Sequence, residues 1–263
     1  MERLFFNRAG NENQSMNNPY ETEKLLGEYL LFHYGNAAEI LSEQWDAVSR
    51  EVLEFPARCV ACADLPSLPE NARALDVGCA VGRSTFELAA HCAEVIGIDF
   101  SQRFIDAANA LKQTGELEFK GLEEGSRFSK STAKISADID RSRVFFETGD
   151  AMNLRENLGV FDIVLAANLL CRLHEPAKFL QRLPQLVNPG GQLILTTPCT
   201  WLEEFTPREH WLCDERSSTL DGLHRHLGAH FSLQRTLDLP FLIREHARKF
   251  QLTIAQASVW IRK

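Results

Sequence analysis

Three polar residues, Asp99, Asp150 and Asn168, stand at the ends of short apolar runs, and a glycine-hinged loop precedes them all. The loop belongs to Ala74-Leu-Asp-Val-Gly-Cys-Ala-Val-Gly-Arg-Ser84, which reads as a buried strand passing straight into the start of a helix. Gly78 and Gly82 fall where the chain must turn sharply and admit a ligand to its backbone, which a residue without Cβ does at least cost. Ser84 is the expected cap of the next helix, whose Phe86, Leu88, Ala89 and Cys92 face the sheet. That directs a helix N-terminus at the ligand. Asp99 closes Glu94-Val-Ile-Gly-Ile-Asp99, about twenty residues after the loop, where a carboxylate can accept hydrogen bonds from both ribose hydroxyls. Asp76 inside the first strand is costly to bury alone, so it is expected to be hydrogen-bonded near the loop. The glycines are spaced G-x-x-x-G, which departs from the G-x-G-x-x-G of nicotinamide dinucleotide sites and disfavours an oxidoreductase.

The elements that must hold these residues alternate. Strands are expected over 74–78, 94–99, 144–150, 161–168 and 192–197, with helices over 84–92, 101–112 and 176–186. Such alternation means a parallel α/β sheet with right-handed crossovers. A further helix is expected near 217–228, and the runs 231–237 and 253–261 suit a closing antiparallel pair. Residues 115–143 read as a peripheral hairpin inserted into this core, which spans 72–263. Ahead of it, 1–18 lack apolar periodicity and are expected to form a disordered tail, and 19–71 a helical lid. The lid comprises a helix from Tyr20 to Tyr34 and another from Trp45 to Cys62, kinked at Pro56. Tyr20, Tyr29, His33 and Tyr34 are polar-tipped aromatics, a composition suited to a partly wet pocket.

The ordered set, D-x-G-x-x-x-G followed by strand-terminal acidic residues, resembles the class I S-adenosylmethionine (SAM) methyltransferases. That resemblance implies a Rossmann-like sheet of seven strands, the last antiparallel, with SAM as cofactor. It assigns Asp76, Gly78, Gly82 and Ser84 to the loop, Asp99 to the ribose, Phe100 to stacking on adenine, and Asp150 with Ala151 to the adenine edge. Asn168 is a further cofactor contact. Tyr20 and Arg58 are candidates for the methionine carboxylate. A catalytic enzyme and a noncatalytic SAM-binding module are both compatible with this set.

A net charge of −8 without any dense basic run argues against a nucleic-acid partner. No apolar run is long enough to span a membrane, and the first residues lack a signal peptide's apolar region, so a cytoplasmic location is expected. Seven cysteines at irregular spacing read as reduced thiols. Cys59-Val-Ala-Cys62 lacks the second pair or histidine cluster of a zinc site, and His174, His210 and His246 are too scattered for one, so no metal is expected.

Two later stretches, Thr200-Trp-Leu-Glu-Glu-Phe-Thr-Pro-Arg-Glu-His-Trp211 and Leu239-Pro-Phe-Leu-Ile-Arg-Glu-His-Ala-Arg-Lys-Phe250, are rich in polar and aromatic residues and are expected to overhang the crevice. The second also suits a solvated helix, with Glu245 paired to Lys249. With Tyr20-Glu-Thr-Glu-Lys-Leu-Leu, Glu28-Tyr-Leu-Leu-Phe-His-Tyr34 and Phe55-Pro-Ala-Arg-Cys-Val60, these strings resemble the methyltransferase module of ovothiol biosynthesis. The resemblance runs from about Tyr20 to the C-terminus. It implies methylation of an imidazole nitrogen of the small molecule 5-thiohistidine to give ovothiol A, with a separate sulfoxide synthase supplying the substrate. The alternative acceptor is another small polar metabolite. Substrate contacts are expected from Trp201, Glu203, Glu204, Phe205, Arg244, Glu245, His246 and Arg248. Arg244 or Arg248 would take the carboxylate, and Glu203, Glu204 or Glu245 the ammonium. Asn168, Tyr34 and His174 are the catalytic candidates, selecting one ring nitrogen by hydrogen bonding.

Overall fold

The computed structural model describes residues 19–41 and 50–263, so the expected tail and residues 42–49 lie outside the described residues. Five strands run parallel: β1 (Arg73–Val77), β2 (Glu94–Asp99), β5 (Val144–Thr148), β6 (Phe161–Ala167) and β7 (Val187–Thr197). Between β2 and β5 lies the separate antiparallel hairpin of β3 (Glu116–Glu124) and β4 (Arg127–Lys134). The main sheet closes with β8 (Phe231–His246) and β9 (Lys249–Arg262), giving the order β5-β2-β1-β6-β7-β9-β8. β9 runs antiparallel to both neighbours. This is the seven-stranded Rossmann-like sheet with an antiparallel last strand that the alternation and resemblance implied.

Apolar side chains alternate through β1 to the two faces: Ala74 packs with Val95, Ile163 and the α4 residues Phe86 and Leu88, whereas Leu75 and Val77 pack with Phe179, Leu180 and Trp260. The helices covering these faces are α4 (Arg83–Ala89) and α5 (Gln102–Thr114), and on the other side α6 (Pro176–Arg182) and α7 (Thr219–Leu227). α5 starts where Ser101 Oγ accepts the Phe104 amide at 3.2 Å. α7 starts with a reciprocal capping box between Ser218 and Asp221.

Two expectations about the N-terminal region need correction. Tyr20 lies in a 3₁₀ turn, Pro19–Glu21, and helix α1 begins at Glu23, capped by Thr22. The expected Trp45–Cys62 helix is, in its described part, a 3₁₀ turn (Arg50–Val52) and then α3 (Phe55–Val60). Glu54 between them is left-handed, and Pro56 sits in the first turn of α3, where a missing N–H costs nothing, so it starts a helix instead of kinking one. The short α2 (Ala37–Ile40) follows α1.

α1 (Glu23–Tyr34) lies against the β3–β4 hairpin, and Gly27 permits the contact: a Cβ there would stand 2.2 Å from the Lys120 carbonyl oxygen. The hairpin also meets the far end of β8. Arg244 there donates to both carboxylate oxygens of Glu123, at 2.9 and 2.8 Å, and to the Glu39 carbonyl at 2.6 Å. The expected overhanging segment 239–250 is therefore the end of a long sheet hairpin. Glu245 and Lys249 do pair, at 2.6 Å, but across its turn and not along a helix. No helix among the described residues is long and apolar enough to cross a membrane.

Candidate active site

The carboxyl ends of β1, β2, β5 and β6 open on one side of the sheet, and the residues singled out by spacing gather there. In the loop after β1, Gly78, Ala80 and Gly82 all have positive φ, at 77°, 47° and 84°, which curls it into a cradle. Gly78 and Cys79 donate their amides to the Ile98 carbonyl, at 2.7 and 3.1 Å. Asp99 completes the cradle, its Oδ2 accepting from the Ala80 amide at 2.8 Å and its Oδ1 from the Ser101 amide at 2.9 Å. Burial raises the Asp99 carboxyl pKa, and the amides of Ser101, Ala80 and Phe100 oppose the shift.

A Cβ on Gly82 would stand 2.6 Å from the Phe146 ring of β5, and its φ of 84° is one that residues with a Cβ rarely adopt, so packing and backbone conformation both favour glycine there. Gly82 is also the N-cap residue of α4, displacing Ser84 from the expected role. Ser84 instead donates its hydroxyl to Asp76 Oδ2 at 2.7 Å, as Thr85 does at the same distance. Asp76 is fully buried, and burial pushes its carboxyl up to about 6 against those two hydrogen bonds. Its Oδ1 is buried and has no partner among the described residues.

Phe100, beside Asp99, exposes 62% of its surface, enough for a planar ring to lie on it. Asp150 caps a 3₁₀ turn (Ala151–Asn153) by accepting the Met152 amide at 2.8 Å. Asn168 is left-handed at the end of β6, and Thr196 donates to its Oδ1 at 3.0 Å, which fixes the amide plane and leaves its NH₂ unbonded among the described residues.

α1 roofs this floor. The Tyr34 hydroxyl donates to the Val81 carbonyl at 2.9 Å and is thereby spent pinning the helix to the loop, a different employment from the expected contact with substrate. His33 is buried with Nδ1 unpartnered among the described residues; burial, helped by Arg83, lowers its pKa to about 3 and keeps it neutral. Tyr20 packs edge-on to Tyr29 and Phe104, each at 5.9 Å between ring centres, and its hydroxyl reaches Arg172. Arg172 lies over the Phe205 ring at 4.6 Å. Tyr29 belongs to the aromatic set singled out from sequence, but Arg172 was not among the residues chosen there. The available signal for Arg172 was its position four residues after Asn168, in the segment leaving β6 at its carboxyl end.

Other chosen residues are committed elsewhere. Arg58 donates to the backbone carbonyls of Leu53, at 2.9 Å, and Pro240, joining α3 to β8. Trp201 is buried and donates to the Thr219 hydroxyl at 2.9 Å, anchoring its loop to α7 because an indole N–H left unbonded there would be costly. Arg244 is held by Glu123, Glu245 accepts from Gln251 at 2.6 Å as well as pairing with Lys249, and His246 Nδ1 accepts the Arg248 amide at 3.2 Å. These four residues sit at the hairpin end that braces the roof. Glu203, Glu204 and His174 are exposed, and the His174 carbonyl meets His210 Nδ1 at 3.1 Å. Open concavities of ≈ 960 and ≈ 720 Å³ flank α5 and the β3–β4 hairpin; neither is lined by Asp99 or the 78–82 loop, over which α1 and Tyr20 close. Cys59 and Cys62 are buried free thiols, and no metal-binding group of His, Cys, Asp or Glu occurs among the described residues.

A family model described as a methyltransferase domain matches residues 45–240, most of the chain. The chain belongs to the methyltransferase-domain family. Membership of that family and the fold together imply SAM as the cofactor. The chain is 27% identical over 177 residues to norajmaline N-methyltransferase of Rauvolfia serpentina, covering 66% of this chain and 52% of that one. It is 28% identical over 175 residues to 27-O-demethylrifamycin SV methyltransferase of Amycolatopsis mediterranei, covering 66% and 52%. The chain thus spans about half the length of these curated relatives. Among solved structures, the YcgJ protein of Bacillus subtilis shares the fold at a TM-score of 0.53 with 14% identity, covering 80% of this methyltransferase and 97% of YcgJ. The residues present fit SAM: a curled amide-lined loop, a ribose-competent carboxylate at the end of β2, and a buried carboxylate oxygen still lacking a donor.

Proposed function

We propose that this enzyme methylates a ring nitrogen of 5-thiohistidine, giving ovothiol A, in a reaction needing no enzymic base. The observation that carries this reading is that the strings resembling the ovothiol module converge on one structure, the roof and its braces. Tyr20 and α1 cover the loop, α3 ties to β8 through Arg58, the loop after β7 brings Phe205 to Arg172, and the hairpin end holds α2 through Arg244. That convergence supports the reading, because the strings carrying the resemblance share the elements that cover the loop. A small-molecule acceptor suits a crevice closed over by tyrosines.

SAM supplies a methyl group already activated on a positively charged sulfur. A neutral imidazole exposes a lone pair on one nitrogen, and the adjacent thiolate offsets the positive charge that methylation creates. The protein's part is then orientation, which can supply ~7–11 kcal/mol of a barrier. Asn168 is placed for it, with its carbonyl oxygen held by Thr196 and its NH₂ free to donate to the acceptor. Tyr34 acts one step removed, by fixing the roof, and His174 stands outside it. Asn168→Ala is expected to slow turnover and blur which nitrogen is methylated, read by NMR of the product; rescue of that variant by high pH or added small bases would instead establish a general base.

The deciding experiment incubates the enzyme with SAM and, separately, 5-thiohistidine, histidine and a panel of small amines, phenols and acids. Methylation of 5-thiohistidine at least a hundredfold faster than histidine is the expected result. Turnover of another panel member with none of 5-thiohistidine would overturn the reading.

A further inference from the structure

Arg172 stands beside the roof with no ion pair to a carboxylate among the described residues. It lies in the 3₁₀ turn Leu170–Arg172, directly after β6, and is half-buried. Phe205 supports one face of its guanidinium at 4.6 Å, and the only protein hydrogen bonds found for it among the described residues are weak or local: Nη1 to its neighbour's Cys171 carbonyl at 3.2 Å and thiol at 3.8 Å, and the approach of the Tyr20 hydroxyl. No ion pair includes it among the described residues, whereas Arg73, Arg83, Arg103, Arg143, Arg155 and Arg244 all have carboxylate partners. Asp99, at the end of β2, turns both oxygens to the Ala80 and Ser101 amides.

An arginine so placed has an unfilled donor fork. Its planar guanidinium presents parallel N–H groups that match a carboxylate, and stacking on an aromatic face limits its rotation without using those donors. Phe205, on the loop after β7, and Tyr20, on the turn before α1, both reach Arg172, which puts the guanidinium where the segment leaving β6 meets the roof. We propose that Arg172, backed by Phe205 and flanked by Tyr20, is the receptor for the acceptor's carboxylate. Arg244 and Arg248 are unsuited to it: the first is neutralised by Glu123, and the second lies exposed at the hairpin turn. The acceptor class is then an amino acid or similar small carboxylic acid, with the nucleophilic nitrogen several bonds from the charged end. This assignment rests on the reading that the acceptor is a small amino acid, and it goes further in naming the residue that selects it.

The test offers the full enzyme 5-thiohistidine, histidine and each carboxylic acid of the panel as the free acid and as its methyl ester, and compares wild type with Arg172→Gln and Arg172→Lys. Binding of S-adenosylhomocysteine is measured by calorimetry on the same preparations. Wild type is expected to prefer acid over ester by tenfold or more in kcat/KM. Arg172→Gln should abolish that preference mainly through KM, with S-adenosylhomocysteine binding within threefold of wild type, and Arg172→Lys should retain part of it. Equal use of acid and ester by wild type would overturn the proposal, even if 5-thiohistidine is the best acceptor. A preference that survives Arg172→Gln would overturn it too. Loss of S-adenosylhomocysteine affinity in Arg172→Gln, with the acid preference unchanged, would assign the arginine to the cofactor's own carboxylate. Should 5-thiohistidine not react while another acid shows the Arg172-dependent preference, the substrate identity fails and the receptor stands.

Discussion

Asp76 is fully buried with one carboxylate oxygen taking two hydroxyls and the other taking none, an arrangement that costs stability at neutral pH where the carboxyl is ionised. A raised pKa of about 6 against an ordinary carboxylate puts that cost on the order of 3 kcal/mol. Asp76→Asn keeps an oxygen for Ser84 and Thr85 while removing the charge, so the cofactor-free enzyme should become more stable by about 1–3 kcal/mol in urea unfolding at pH 7.5. The same change should weaken SAM, because a cationic group of the cofactor then has no buried anion to meet; tighter SAM binding in the variant would show that the ionised form serves no ligand. Asp99, at the end of β2, is the carboxylate proposed for the ribose. Losing two charge-assisted hydrogen bonds of roughly 1.5–3 kcal/mol each, Asp99→Ala should bind SAM at least a hundredfold more weakly by calorimetry. Because Asp99 also holds the Ala80 and Ser101 amides, some thermal stability should go with it. Asp99 and Asn168 could be singled out from sequence because each is a polar residue that ends an apolar run, and Asp76 because it is a charge inside one. Arg172 offered only its place in the segment leaving β6, since nothing in the order of residues says that Phe205, more than thirty positions on, will support it.

The roof is an element whose position depends on a neighbour that sequence marks only as an insertion. α1 rests on the β3–β4 hairpin through Gly27, a residue that costs a helix interior ~1 kcal/mol relative to alanine and is kept for the close approach. Gly27→Ala should therefore destabilise, by about 1–3 kcal/mol, despite the better helix former, because its Cβ meets a backbone carbonyl that has no rotamer to move away. Amide hydrogen exchange should show the loss confined to α1 and the hairpin, with β1 and β6 protected as before; undiminished protection of α1 would mean that the helix is held by Tyr34 and Phe32 alone. The hairpin was legible from its alternation around Gly125, yet its role was not, since a role set by contact with α1 and Arg244 is long-range. The 239–250 segment misleads for a related reason. Its charges at Glu245 and Lys249 satisfy the helical spacing, and only pairing with Phe250, Gln251 and Leu252 of β9 decides for strand.

Across the whole molecule, two buried groups with shifted titrations on the acid side of neutrality, His33 and Asp76, act with opposite sign on folding. His33 is lowered to about 3 by burial, so between pH 6.5 and 3 the unfolded chain takes a proton that the folded one refuses, and stability falls as pH falls. Asp76 is raised to about 6, so between pH 6 and 3.8 the folded chain takes the extra proton, and stability rises as pH falls. Each contributes a slope of about 1.4 kcal/mol per pH unit where its window applies, and from pH 6 to about 4 the two cancel. Wild type without SAM should thus be nearly flat in this pair's contribution across that range and begin to fail below it, where only His33 remains. The difference between variants isolates the effect from all other titrating groups. Relative to wild type, Asp76→Asn should lose its advantage steadily as pH drops from 6 to 4, whereas His33→Gln should gain on wild type over the same interval. Urea unfolding midpoints for the three proteins at half-unit steps between pH 4 and 7.5 measure both slopes. Parallel curves would mean that neither group is buried in the state that SAM meets, and the roof would then stand open over the loop in solution.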